Sequence, residues 1–186
     1  MEINIVDTID TGLVRAAMML SSLNQVVIEI SAGPNGVDRM VTAIINKVKK
    51  PNSIDVLRIY AHGNIGIINV AGGQFDASGE LSAISISNLP KIEASLSRLT
   101  PYFANQARVE LLGCEIVTTA KGGLTGNTEG ERLIKRLAQI WRVNVLASGN
   151  PKGLPLGSLK FQGLVVRAGL GGLACVEAPE ISKVKN

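Results

Sequence analysis

The chain has 186 residues, 46% hydrophobic and 18% charged, which fits one ordinary compact domain and leaves no room for two large ones. A net charge of +4 is too small an excess for a nucleic-acid footprint, and six aromatic residues are too few to build base-stacking platforms. Two cysteines, Cys114 and Cys175, beside the single histidine, His62, exclude a disulfide scaffold and a thiolate zinc cage, so no metal and no cofactor is expected.

The start of the chain carries Glu2, Asp7 and Asp10 and lacks the basic-then-apolar pattern of a secretory signal. The longest weakly charged stretch, residues 161–176, is broken by Arg167 and several glycines, so no membrane-spanning helix is expected. The expectation is a cytoplasmic protein with no membrane or nucleic-acid partner.

In chain order, Val26 to Ile30 is a β-branched run stopped by the turn formers Ser31 to Gly36. Val37, Met40, Val41, Ile44, Ile45 and Val48 recur at steps of three and four, which predicts a helix over 37–49, with Lys47 and Lys49 complementing its dipole at the end. Asp55 to Ala61 reads as a strand buried on both faces that runs straight into His62-Gly63. Residues 64–75 read as a hairpin or irregular excursion because Gly72-Gly73 interrupts an apolar alternation. A second helix is predicted over 89–99, ended by Thr100-Pro101, and a third strand over 108–112, ending at Gly113-Cys114.

A Gly- and Thr-rich loop spans 117–127, after which Thr128 and Glu131 offer a capping box ahead of Leu133, Ile134, Leu137 and Ile140. A strand over 143–147 and a strand pair near 158–167 and 172–176 complete the pattern. Strands alternating with helices predict the α/β class: a mostly parallel central sheet flanked by helices, in one domain with its core at about 26–150 and C-terminal strands at about 158–176.

Open parallel sheets collect functional groups at the carboxyl ends of their strands. Here two strand ends carry chemistry, His62 after one and Cys114 after another. If those strands are neighbours they lie about 4.8 Å apart, and imidazole and thiol face one cleft. An ordinary thiol, with a pKa of about 8.5, is mostly protonated at neutral pH; a nearby imidazole supplies the thiolate and can protonate a leaving amine. The backbone N–H groups of Gly63 and Cys114 are the natural oxyanion donors. The plainer reading of a cysteine behind a buried strand is a small core hydrophobe, and Cys175, with no partner in sight, reads as packing.

Other signals are weaker. Gly122 to Thr128 precedes a helix as a phosphate loop would, but lacks the Lys-Ser/Thr ending, and no Gly-x-Ser-x-Gly elbow is present. Arg132, Lys135 and Arg136 read as a solvated helix face, with an anion-effector site as the other reading.

The segments Leu57-Arg-Ile-Tyr-Ala-His-Gly63 and Val109-Glu-Leu-Leu-Gly-Cys114, followed by a helix and Val145-Leu-Ala-Ser-Gly149, resemble the caspase-like (clan CD) cysteine peptidases. Within that group the chain is most similar to bacterial caspase-like domains of large surface adhesins, and next to self-cleaving cysteine protease domains of toxins, over about residues 26–150. The resemblance implies caspase-like topology, Cys114 as nucleophile, His62 as general acid/base, and the backbone of Gly63 and Cys114 as oxyanion hole. It also implies a substrate groove at Ser148, Gly149 and Asn150. Glu115, which follows the cysteine where the family pattern differs, reads equally as a selector of basic substrate side chains or as a surface residue. The activity so implied is a cysteine endopeptidase acting on protein substrates or on itself, with Lys121 in a candidate processing loop. The alternative is a catalytically silent caspase-like module that binds a regulatory protein partner.

Overall fold

In the computed structural model, residues 1–9, 12, 14–15, 18–19, 25–72, 81–117, 124–148, 165–169 and 171–176 are described. The elements in chain order are β1 (Glu2–Asp7), β2 (Val26–Ile30), α1 (Gly36–Val48), β3 (Ile54–Tyr60), β4 (His62–Asn64), β5 (Ile67–Asn69) and β6 (Ala83–Ser85). They continue with α2 (Leu89–Ser97), a 3-10 turn (Thr100–Tyr102), β7 (Phe103–Leu112), α3 (Glu129–Trp141), β8 (Asn144–Ser148), β9 (Val165–Gly169) and β10 (Gly172–Val176). Seven strands form the central sheet in the order β10-β9-β8-β7-β3-β1-β2, and β4-β5-β6 form a small antiparallel sheet of their own. Neighbours from β8 to β2 are parallel, while β9 and β10 add an antiparallel margin, so the expected α/β class with a mostly parallel sheet flanked by helices is what the chain adopts.

Alternation along the strands decides what each face does. Ile3, Ile5, Leu57, Ile59, Val109, Leu111, Val145 and Ala147 join one apolar core with the buried sides of α1, α2 and α3. The opposite face carries a smaller cluster of Val6, Tyr60, Leu112, Leu146 and Val165. Beside it lies an ion-pair chain across three strands: Arg58 of β3 meets Glu2 of β1 at 2.8 Å and Glu110 of β7 at 2.9 Å, and Glu110 also takes Arg108 at 2.6 Å. Arg58 is fully buried and Glu110 nearly so. Such a network contributes little net stability, but a slip of one residue would turn its charges into the helix-covered core, so it specifies register.

The sequence reading needs four corrections. The core does not begin near residue 26: β1 sits between β3 and β2, so the strands flanking α1 are not neighbours. Its alternation of Ile3 and Ile5 with Glu2 and Asn4 suits a strand whose second face is polar, unlike the all-apolar run expected at mid-sheet. The third strand begins at Phe103, five residues early, with a register irregularity between its pairing to Ile54 and to Val56. The hairpin expected over 64–75 is formed by β4 and β5, but it opens at His62 itself and the small sheet extends past 75 to a third strand, β6. Cys175 is exposed on the marginal strand β10 and is not packed in the core. α1, α2 and the β3, β8 and β10 strands lie within two residues of their predicted limits, α3 starts at the predicted capping box, β9 covers the described part of its predicted run, and residues 158–164 lie outside the described residues. No described helix is long and apolar enough to cross a membrane.

Candidate active site

The site is set by the pairing of β3 with β7. Their parallel register joins Arg58 to Glu110, Ile59 to Leu111 and Tyr60 to Leu112, a constant offset of 52 residues. The same offset separates His62 from Cys114, so the two are counterparts immediately beyond the carboxyl ends of adjacent strands. Tyr60 and Leu112 share the face opposite the helices; beyond them His62 opens β4 of the small sheet and Cys114 enters a turn. Both side chains are half-buried.

Two glycines let the backbones close in. A Cβ on Gly63 would stand 2.6 Å from the Cys114 carbonyl oxygen and 2.9 Å from the Cys114 nitrogen. One on Gly113 would stand 3.0 Å from the Ala61 oxygen and 3.2 Å from the Gly63 nitrogen. Gly63 is therefore required by space; its φ lies outside the left-handed region.

The segment after the cysteine is clamped from three directions. The Gly66 N–H, from the β4–β5 turn, donates to the Ile116 oxygen at 2.9 Å, and the Val117 N–H donates to the Ser148 oxygen at 3.2 Å. Gly130, in the first turn of α3, abuts the Ile116 carbonyl so closely that no side chain fits there. Glu115 sits between these clamps in the left-handed region at φ 44°, half-buried. A non-glycine residue there carries backbone strain of the kind that collects at working turns.

The start of α3 is held by its capping box. The Thr128 hydroxyl accepts the Glu131 N–H at 3.2 Å, and the buried Glu131 carboxylate accepts the N–H groups of Thr128, Asn127 and Thr125 and the Thr125 hydroxyl, at 3.0–3.1 Å. Burial pushes this carboxyl up, but the hydrogen bonds from Thr128 and Thr125 outweigh it and hold the group below the usual carboxylate range. Burial likewise holds the Tyr60 phenol far above its ordinary value; nearby Arg58 pulls it back only in part, and Glu110 and Glu2 add to the rise.

The structure thus brings the backbones of Gly63 and Cys114 together, with His62 and Glu115 next to them in the chain. Ser148 is buried at the end of β8, with its carbonyl engaged by Val117; Gly149, Asn150 and Lys121 lie outside the described residues. Arg132, Lys135 and Arg136 are exposed, as expected of a solvated face, and line a cleft of about 410 Å³ between α2 and α3, where Arg136 pairs with Glu93 at 2.8 Å. Among the described residues no group of His, Cys, Asp and Glu is placed to hold a metal.

Two residues escaped the sequence reading. Asp7, buried at the end of β1, accepts the Gly72 N–H at 3.0 Å and so ties the sheet to the chain leaving the small sheet. Asn69 of β5 is 1% exposed, and among the described residues neither its Oδ1 nor its Nδ2 has a hydrogen-bond partner, a burial that costs about 1–3 kcal/mol. The available signal was an amide inside the apolar run Ile67-Ile68-Asn69-Val70.

Fold and site together define an α/β protein in which neighbouring parallel strands end in an imidazole and a thiol. Residues 6–157 match the family model described as Domain of unknown function (DUF4347), and the chain belongs to that family. No curated protein and no solved structure matches the chain.

Proposed function

We propose that the domain is a cysteine endopeptidase of caspase-like type, acting on protein substrates or on its own chain through a Cys114/His62 dyad. The observation that carries this reading is the parallel pairing of β3 with β7, beyond whose ends the only histidine and a half-buried cysteine follow two residues on, with the Gly63 and Cys114 backbones in close approach. The likeness of the segments ending at Gly63 and Cys114 to caspase-like peptidases supports the same reading.

In the reaction, the Cys114 thiolate attacks the scissile carbonyl carbon, and the electron pair of the C=O bond moves to oxygen. Backbone N–H groups at Gly63 and Cys114 are the donors available to that oxyanion. Collapse expels the amine, which takes a proton from the His62 imidazolium and leaves a thioester on Cys114. His62 then removes a proton from water, whose oxygen attacks the thioester; a carboxylic acid leaves and the thiol is restored. Glu115, the residue after the nucleophile, would in this reading favour a basic substrate side chain, its other reading being a surface residue.

Because Cys175 is exposed, comparing the two thiols by labelling alone does not isolate Cys114. The test therefore uses the Cys175→Ser chain. Incubation with a peptide library, and intact-mass measurement of the chain after long incubation, should give cleavage that Cys114→Ala and His62→Ala abolish. No hydrolysis in either experiment, together with partner binding that survives Cys114→Ala, overturns the proposal in favour of a silent interaction module.

A further inference from the structure

The cleft of about 410 Å³ between α2 and α3 has two unlike walls. Ile86, Leu89 and Pro90, at the entry to α2, make one wall apolar, and Arg132, Lys135 and Arg136 of α3 make the other basic. The two helices run the same way. Arg136 pairs with Glu93 at 2.8 Å, and farther along both helices the Trp141 indole N–H donates to the Leu96 oxygen at 2.9 Å. These contacts hold the helices together toward their C-termini, so both N-termini stand at the other end of the cleft.

The charge of the basic wall is not balanced within the chain. Glu93 neutralises Arg136, whose Nη2 donates to both carboxylate oxygens, at 2.8 and 3.0 Å. Arg132 and Lys135 are exposed and have no ion pair or side-chain hydrogen bond among the described residues. This is a costly way to charge a helix. Arg132 and Arg136 are like charges one turn apart, Lys135 shares their face, and α3 has no basic residue in its last turn, where its dipole would favour one. A face needing only solubility would mix the signs, whereas an anion in the cleft offsets the repulsion.

The spacing decides which anion fits. Positions i and i+3 on a helix have Cβ atoms about 5–6 Å apart, and alternate residues of an extended peptide stand about 6.6 Å apart. A peptide laid along the cleft therefore sends every second side chain toward Arg132 and Lys135, and the one between toward the apolar wall. We propose that the cleft is a docking site for an acidic-aliphatic-acidic segment of a partner protein, its two carboxylates on Arg132 and Lys135 and its aliphatic side chain against Ile86 and Pro90. A bare phosphate would leave the apolar wall wet, and no aromatic side chain among the described residues lines the cleft to stack a nucleic-acid base. The proposal does not depend on the reading of Cys114 and His62 as a working pair.

The test uses the full chain as Cys114→Ala, so that binding is read whether or not the domain cleaves. An end-blocked peptide, Gly-Glu-Leu-Glu-Gly, is titrated at low salt into ¹⁵N-labelled protein while the backbone amide shifts are followed. Saturable shifts at Glu93, Arg132 and Lys135 are expected, with a dissociation constant of about 0.1–1 mM. Combining Arg132→Gln with Lys135→Gln should weaken binding about fivefold or more, as should the peptide Gly-Gln-Leu-Gln-Gly. The peptide Gly-Glu-Ser-Glu-Gly should also bind about fivefold more weakly, because it buries no aliphatic side chain. No shift at these amides with about 5 mM peptide, or equal binding of the glutamine peptide, overturns the proposal. If inorganic phosphate, a short oligothymidylate or the serine peptide binds as tightly as the leucine peptide, the cleft is a plain anion site and the peptide assignment falls. Because both cations are exposed and unpaired, the double variant should keep the parent urea midpoint. Its failure to fold would show that they serve the fold, and would overturn their assignment to a ligand.

Discussion

Gly63→Ala tests the site at its tightest point. The added carbon would stand 2.6 Å from the Cys114 oxygen, where ordinary contact begins at 3.4 Å, so one backbone must retreat by 0.8 Å. The second obstacle is the Cys114 nitrogen at 2.9 Å, also backbone, so no rotamer change relieves the clash. Overpacking of this kind costs about 1–3 kcal/mol, which at a urea m-value of about 2 kcal/mol/M lowers the unfolding midpoint by about 0.5–1.5 M. Moving His62 away from Cys114 by most of an ångström should also slow the dyad by about tenfold to a hundredfold. Urea unfolding gives the first number, and cleavage or the neutral-pH iodoacetamide rate in the Cys175→Ser chain gives the second. Gly113→Ala, whose nearest atom would be 3.0 Å away, should be milder, and Gly171→Ala, with nothing within 4 Å, should leave both readings near the parent values. A Gly63→Ala protein with parental midpoint and rate would refute the close approach of the two strand ends.

Other expectations follow from the buried charges. Glu131→Gln should cost about 1–3 kcal/mol at neutral pH by weakening the hydrogen bonds that the carboxylate accepts. Because the native carboxyl lies below its ordinary range, its contribution is present above about pH 4.3 and lost as pH falls through the lower native value, so urea unfolding of Glu131→Gln should lack that part of the acid slope. Tyr60 holds its proton in the native state where the unfolded chain releases it, so stability should fall as pH rises past about 10. In Tyr102→Phe, tyrosinate absorbance should therefore rise together with loss of near-ultraviolet dichroism and not before it. Arg58→Met should destabilise by about 3–5 kcal/mol by leaving buried carboxylate underpaired, and adding Glu110→Leu should recover part of that loss in thermal unfolding.

Local patterns were readable where a local cause decides structure. The Thr128/Glu131 spacing named the start of α3 because a capping box is satisfied within four residues. The strand ends at His62 and Cys114 were readable because apolar runs stop there. What the sequence did not disclose depends on distant partners. β1 was not legible as a strand, because the polar residues of its second face join a charge network with Arg58, 56 residues away, and Glu110. Cys175 looked internal because Leu173-Ala-Cys-Val176 is apolar, yet β10 is the last strand of the sheet, and there Cys175 stays exposed although Leu173 on the same side packs against the core. Asn69 has no local signature of its place; only the pairing of β5 with β4 sets it opposite His62.

The parallel pairing of β3 with β7 also governs when the site comes into being. Parallel neighbours cannot be joined by a tight turn, so the chain must lay down the small sheet and α2 before the second strand docks beside the first. Contacts of such long loop are formed late, after the entropy of closing them has been met. A growing polypeptide emerging from the ribosome thus carries its imidazole well before its sulfur has a seat, and the two meet only when the architecture around them is nearly complete.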